Sequence, residues 1–411
     1  MSASGASRVA VPGVMPPLMP LAQRMRGIEP FHVMELLARA QALEAQGRDI
    51  VHMEIGEPDF PTPRPVCEAG IRALEHGELF YTPALGLPEL RAAVAGFYRT
   101  RYGVTLDAAR VIITSGSSGA LLLAISTLVN PGDQVLMADP GYPANRHFVR
   151  MMEGEAKGIA VGPDTHYQLT PALLEQHWGS RTVAGLVATP SNPTGTLIAA
   201  DDLTAMAAVA QARGGALIVD EIYHGLVYDH GESANGAHTA ADAGDNVFVI
   251  NSFSKYFCMT GWRLGWMVVP PRYVREIDKL SQNIYLSAPT PAQLAALVAF
   301  EPETLAVCEA RRVEFQRRRD YLVPALRGLG FDIPHTPPGA FYVYADCSRL
   351  TQDSYAFAHD LLEAAGVAIT PGIDFGTYRA SEHVRFAYTR PVARLREGVQ
   401  RIAAYLAQRT A

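Results

Sequence analysis

The segment VINSFSKYFCMTGWRLGW, residues 249–266, ends an apolar run on a lysine. Lys255 stands among aromatic residues, surroundings that disfavour an ammonium ion and leave a nucleophilic amine. A salt-bridged or snorkelling lysine is the commoner occupant of such a place, so the lysine alone assigns no chemistry. Its neighbours narrow the choice. Ser252 and Ser254 flank it and Arg263 follows in GWRLG, hydroxyls and a guanidinium of the kind that hold a phosphate. The turn SGSSG, containing Ser117 and opening a helical pattern, adds backbone N–H groups and a positive dipole end for the same anion. Asp220 closes a second apolar run, ALIVD. A desolvated carboxylate there needs a cation, either an arginine of the fold or a cationic group on a ligand.

A reactive amine, an anion cradle and a buried carboxylate together outline pyridoxal 5'-phosphate. Its aldehyde takes the lysine, its phosphate the cradle, and its ring nitrogen the acid partner that keeps it protonated. Tyr223, in the same DEIY stretch as Asp220, and Asn192, in SNPTG, are candidate donors to the phenolic oxygen. Tyr142, in DPGYP, offers a flat ring to stack on the pyridine.

Positioning these residues requires an extended framework. The chain has 411 residues, 48% hydrophobic and 18% charged, with a formal net charge of −6, which suits a globular protein of two or three domains with a sizeable core. No basic field is present to attract nucleic acid or an anionic membrane, so a small molecule or a second copy of the chain is the expected partner. Cys67, Cys258, Cys308 and Cys347 are widely spread without a Cys-x-x-Cys pair. That pattern fits reduced thiols in the cytoplasm, with no zinc site or other metal centre. Near the start, Pro12, Pro16, Pro17 and Pro20 interrupt the apolar stretch too often for a signal helix. An arm lying on the body or on a partner is the expectation.

From about residue 110 one pattern recurs: a short apolar run, a polar loop, then an amphipathic stretch. RVIIT leads to SGSSG, QVLMA to DPGYP, VAGLVAT to PSNPTG, GALIVD to EIYHG, and NVFVIN to SFSKYF. Continuous runs alternating with helices indicate parallel strands buried on both faces, an α/β sheet. Ligands bind such a sheet beyond the carboxyl ends of its strands, where one crevice can collect Ser117, Tyr142, Asn192, Asp220, Tyr223 and Lys255. After about residue 290 come long helical patterns and the short strands AFYVYAD, VAIT and HVRFAY, a smaller α+β domain. An early helix carries Leu36, Leu37, Ala40 and Leu43 on one face and ends before Gly47.

The ordered motifs IGEPDFPTP, YTPALGLPELR, DPGYP, SNPTG, DEIY, SFSKYFCMTGWRLGW and VRFAY cover roughly residues 30 to 400. With them the chain resembles the fold type I pyridoxal-phosphate aminotransferases of class I/II, the aspartate aminotransferase group. The resemblance implies a large domain with a mostly parallel seven-stranded sheet flanked by helices, plus a smaller α+β domain. The expected division is an arm over 1–29, the first part of the small domain over 30–50, the large domain over 51–290 and the rest of the small domain over 291–411. Lys255 falls at the Schiff-base position and Asp220 at the ring nitrogen, with Tyr223 and Asn192 at the phenolic oxygen and Tyr142 at the stacking position. Ser117, Ser118, Ser252 and Arg263 fall at the phosphate. Arg385 matches the residue that grips the substrate α-carboxylate, with Gly56 and Asn192 beside it; an internal salt bridge is the alternative for that arginine. Tyr81 matches a tyrosine that reaches the neighbouring subunit's phosphate, which implies a homodimer with shared active sites.

The implied activity is transfer of an amino group from an L-amino acid to a 2-oxo acid, with 2-oxoglutarate the family's usual acceptor. Some dicarboxylate-preferring relatives carry a lysine where Ser118 stands, so this chain is expected to favour a neutral donor. Three rivals remain. A carbon–sulfur β-lyase uses the same lysine and aspartate. SFSK satisfies the Ser-x-x-Lys element of penicillin-recognising enzymes, but Ser-Asp-Asn and Lys-Thr-Gly occur nowhere in the sequence. A non-catalytic regulator of this fold would need a DNA-binding module, and only a short proline-rich arm precedes the core.

Overall fold

Seven runs rich in Val, Ile, Leu and Ala form the central sheet of the computed structural model, which describes residues 20–77, 79–228 and 238–410. In chain order its strands are β2 (Val111–Thr114), β3 (Gln134–Asp139), β4 (Glu155–Ala160), β5 (Thr182–Ala188), β6 (Ala216–Asp220), β7 (Val247–Ser252) and β8 (Gly265–Val268), β1 being the short Val51–His52 outside this sheet. They lie side by side in the order β2-β8-β7-β6-β5-β3-β4. All pairings are parallel except those of β8, which runs antiparallel to both β2 and β7. The fold is therefore α/β with a mostly parallel sheet.

Successive side chains of the inner strands enter two different cores, because a strand alternates its faces. Ile113, Leu217 and Val249 join the larger cluster, while Ile112, Ile218 and Ile250 join the smaller one under the helices Gly116–Leu128 and Val274–Ile284. Burial on both faces explains the unbroken apolar runs. Edge strand β4, EAKGIA, is half exposed and polar, and for that reason does not stand out in the sequence.

A three-stranded antiparallel sheet, β11 (Thr370–Pro371), β12 (His383–Ala387) and β9 (Tyr342–Asp346), forms in the C-terminal part. β1 pairs in parallel with β10 (Val367–Ala368). The stretch VAIT, which reads as one strand, is thus two: Val367 and Ala368 pair with β1, and beyond Ile369 the chain changes partner to β12. The helix His32–Glu44 buries Leu36, Ala40 and Leu43 and packs on β10 and β11, beside the smaller sheet, with Leu37 part-exposed. Of the expected arm, residues 1–19 lie outside the described residues. Its remainder rests on the helix Pro143–Met151, with Arg150 donating to the Gly27 carbonyl at 2.6 Å. No described helix is long and apolar enough to cross a membrane.

Candidate active site

A cavity of about 320 Å³ opens where β5, β6 and β7 end. Asp220 is the last residue of β6, Ser252 the last of β7, and Asn192 and Tyr142 sit in the loops after β5 and β3. Ser117 and Ser118 occupy the first turn of the helix after β2, so their backbone N–H groups face the same space. Lys255, Tyr223 and Arg263 complete this side, and Gly56 and Arg385 face them from the other. Tyr81 stands apart: its side chain is 81% exposed, next to Phe80 at 77%. The two lie beside Ser287–Thr290, where the Thr290 hydroxyl donates to the Phe80 carbonyl at 2.7 Å.

Two buried ionisable groups, Lys255 and Asp220, share the cavity, and burial outweighs their mutual attraction in both. Lys255 Nζ donates to the Gly56 carbonyl at 2.7 Å, and burial pulls its pKa down to about 8. The Glu57 charge resists that fall while Arg385 and Arg263 add to it. Asp220 is 3% exposed and burial pushes its carboxyl up to about 7, against the Ile222 backbone N–H that donates to it at 3.1 Å. The charge of Lys255 also opposes that rise, but among the described residues no arginine, lysine or histidine comes within ion-pair distance of Asp220, which leaves room for a cationic ligand group. A ligand N–H placed there meets an acceptor that becomes fully ionised on receiving it.

The first anion site is built on close backbone approach. Arg263 donates from Nη1 to the Thr260 carbonyl at 2.9 Å, and its Nη2 would lie 2.8 Å from a β-carbon at Gly116, whose φ is +70°. The left-handed turn favours glycine, and a β-carbon there would push the guanidinium aside. Ser252 Oγ donates to Ser254 Oγ at 2.9 Å and accepts from the Ser254 N–H at 3.0 Å, which fixes both hydroxyls beside the guanidinium. Hydroxyls, helix N–H groups and a guanidinium with no carboxylate in ion-pair distance among the described residues could together hold a phosphate-type anion.

Arg385, on β12, is 4% exposed and held from every side except the cavity. Nη1 donates to Asn192 Oδ1 at 2.9 Å, and Nη2 to the Glu54 carbonyl at 2.5 Å and Thr370 Oγ1 at 3.2 Å. The guanidinium lies between the rings of Tyr342, 4.3 Å from the centroid, and Phe375, 4.8 Å. Its Nε is buried without a partner, and among the described residues no carboxylate pairs with it. An internal salt bridge is therefore not its role; a buried, uncompensated guanidinium is an opening for a carboxylate ligand.

Tyr223 and Tyr342 meet hydroxyl to hydroxyl at 2.7 Å. Tyr142 is part-buried, its phenol pushed up to about 12 by burial, with the Phe31 ring 6.3 Å away. The sequence reading missed Tyr342, Phe31, Val33, Ile55 and Phe375, all of which line the cavity. Tyr342 carried a weak signal, an aromatic strand in AFYVYAD, and Ile55 opens the motif IGEPDFPTP; Phe31, Val33 and Phe375 carried none, being single apolar residues brought in by distant segments. Among the described residues no cluster of His, Cys, Asp and Glu can hold a metal ion.

A family model described as aminotransferase class I and II matches residues 48–402. The chain is 42% identical over 382 residues to a valine–pyruvate aminotransferase of Mycobacterium tuberculosis, covering 92% of this chain and 97% of that protein. It is 34% identical over 388 residues to an aspartate/prephenate aminotransferase of Thermus thermophilus, covering 94% and 98%. The crystal structure of an aminotransferase from Mycobacterium tuberculosis superimposes with a TM-score of 0.90 at 40% identity, covering 95% of this chain and 100% of that one. Match of the family model over most of the chain, agreement of fold and full-length relatives lead to one conclusion: the chain belongs to the class I and II aminotransferases.

Proposed function

We propose that this aminotransferase moves an amino group from a neutral L-amino acid to a 2-oxo acid, with pyridoxal 5'-phosphate held in the crevice through Lys255. The observation that carries the reading is the pair of uncompensated guanidiniums, Arg263 and Arg385, on either side of a buried amine and a buried carboxylate. Two anion sites, an amine and an acid partner match the phosphate, the substrate carboxylate, the aldehyde and the ring nitrogen in turn. When bound, the group supplies an aldehyde and an electron sink for the substrate's α-carbon.

The chain's own residues do the rest. Arg263, Ser117, Ser118 and Ser252 hold the phosphate, and Asp220 keeps the proton on the ring nitrogen. Tyr223 and Asn192 donate to the phenolic oxygen, and Tyr142 covers one face of the ring. Arg385 grips the substrate α-carboxylate in a bidentate fork, with Asn192 orienting the guanidinium and Gly56 leaving room. Lys255 Nζ would take the α-proton, and burial, by lowering its pKa to about 8, raises the fraction of free amine available to do so.

The donor side chain is proposed to be neutral. Ser118 stands where a lysine would meet a second carboxylate, and Phe31, Val33, Ile55, Leu121 and Phe375 give the crevice an apolar wall. 2-Oxoglutarate is the proposed acceptor, with pyruvate, named for one relative, as the alternative to test. The protein is proposed to work in the cytoplasm as a homodimer, the exposed Phe80 and Tyr81 carrying the partner's half of a shared site.

The experiment is a panel of amino donors, aliphatic, aromatic and acidic, against 2-oxoglutarate and pyruvate with the purified protein. Transfer from neutral donors supports the reading. Release of pyruvate and ammonia from a cysteine conjugate without any acceptor would replace it with a β-lyase.

A further inference from the structure

The extended segment after β1 holds two functional side chains through its backbone. The Glu54 carbonyl accepts from Arg385 Nη2 at 2.5 Å and from Thr370 Oγ1 at 3.0 Å. Two residues on, the Gly56 carbonyl accepts from Lys255 Nζ at 2.7 Å. Between them, the Ile55 carbonyl accepts from Thr389 Oγ1 at 3.2 Å. A small shift of this segment would move both the guanidinium and the amine.

Two ionisable side chains of this stretch pair with each other. Glu54 is 0% exposed; its Oε1 lies 2.6 Å from His52 Nδ1, and its Oε2 is buried with no hydrogen-bond partner. The other ring nitrogen of His52 faces Glu44 Oε1 at 3.0 Å, on the helix His32–Glu44. A buried carboxylate with a single partner needs that partner charged.

We propose that His52 and Glu54 are a positioning pair for Arg385: protonated His52 holds Glu54, and so its carbonyl, against the guanidinium, and loss of that proton loosens the grip on a substrate carboxylate. The inference rests on the reading of Arg385 as the carboxylate-binding residue. Neither member touches the reacting atoms. Among the described residues, the other charged groups lining the space beside His52 are Glu44 from its helix, Glu57 on the same segment, and Arg390 and Arg394 near the start of the helix Val392–Thr410. Arg394 is already engaged by Asp49 and Glu397. The hydrogen bond to Glu54 raises the His52 pKa, with Glu44 adding to it and burial opposing. The pairing is therefore complete at low pH and is lost as pH rises through that raised value.

The test is binding of 3-phenylpropionate, a carboxylate without an amine, to the cofactor-loaded enzyme from about pH 6 to about pH 9 by calorimetry, a range that spans histidine titration. It compares wild type with His52→Gln, Glu54→Gln and Arg385→Gln. In the wild type, affinity should fall about 5-fold or more as His52 loses its proton, a typical coupling between linked sites. In His52→Gln it should be weak and flat. In Glu54→Gln, which removes the buried charge, it should also be flat. By reciprocity, nitrogen-15 titration of wild-type His52 should move its midpoint upward when 3-phenylpropionate binds, and the shift should shrink in Glu54→Gln. Curves for the His52 and Glu54 variants that parallel the wild type, with a His52 midpoint indifferent to the ligand, would overturn the pair alone, provided Arg385→Gln has lost binding. Undiminished binding by Arg385→Gln would overturn the underlying reading and the inference with it.

Discussion

Lys255 and Gly56 are joined side chain to backbone by a 2.7 Å hydrogen bond, and the same glycine leaves no room for a β-carbon beneath the Tyr342 hydroxyl. Gly56→Ala must displace Tyr342, which packs on Arg385 and bonds Tyr223. Because a displacement of about 1 Å near the chemistry can cost about 100-fold, kcat/KM should fall on that order with circular dichroism unchanged. Steady-state kinetics beside a far-ultraviolet spectrum checks both halves.

The amine of Lys255 should titrate far below an ordinary lysine in the cofactor-free protein. Burial holds its pKa at about 8 rather than 10.5. Labelling with an amine-acylating reagent, followed residue by residue in peptide maps, should show Lys255 reacting with a midpoint near that value.

Asp220 carries the opposite sign. Its folded-state pKa of about 7 lies above the ordinary 3.8, so its contribution to stability is present at low pH and lost as pH rises toward 7. Cofactor-free Asp220→Asn should lack that decline and melt a few degrees above cofactor-free wild type at alkaline pH. Loaded with cofactor, the same variant should lose about 10²- to 10⁴-fold in kcat, because an amide cannot keep the ring nitrogen protonated. Thermal melts across pH and single-turnover kinetics separate the two effects.

Arg385→Lys tests the fork. A lysine cannot hold Asn192, the Glu54 carbonyl and a substrate carboxylate in one plane. The KM for amino donors should rise about 10- to 100-fold, while cofactor content, read from the visible spectrum, stays unchanged.

The sequence exposed the sheet wherever a strand is buried on both faces. RVIIT, GALIVD and NVFVIN are unbroken apolar runs for that reason, and a charged residue closing such a run, Asp220 or Lys255, stands out against it. The edge strand β4 does not, since half its side chains meet solvent, and VAIT hides its change of partner at Ile369. In the crevice, residues inside the ordered motifs could be named. Phe31 and Val33 could not, because their place depends on Asp374, far along the chain, whose carboxylate accepts from the N–H groups of His32 and Val33 at 2.7 and 2.8 Å. The His52 and Glu54 pair was equally silent: a histidine and a glutamate two positions apart become informative only when one of them is buried.

The most direct measurement is borohydride reduction of the purified enzyme followed by peptide mapping. A single reduced pyridoxyl adduct on Lys255, formed as the visible band disappears, is the expected result. An adduct on any other side chain, or a protein that takes up no pyridoxal 5'-phosphate at all, would contradict the assignment of that lysine and of the site around it.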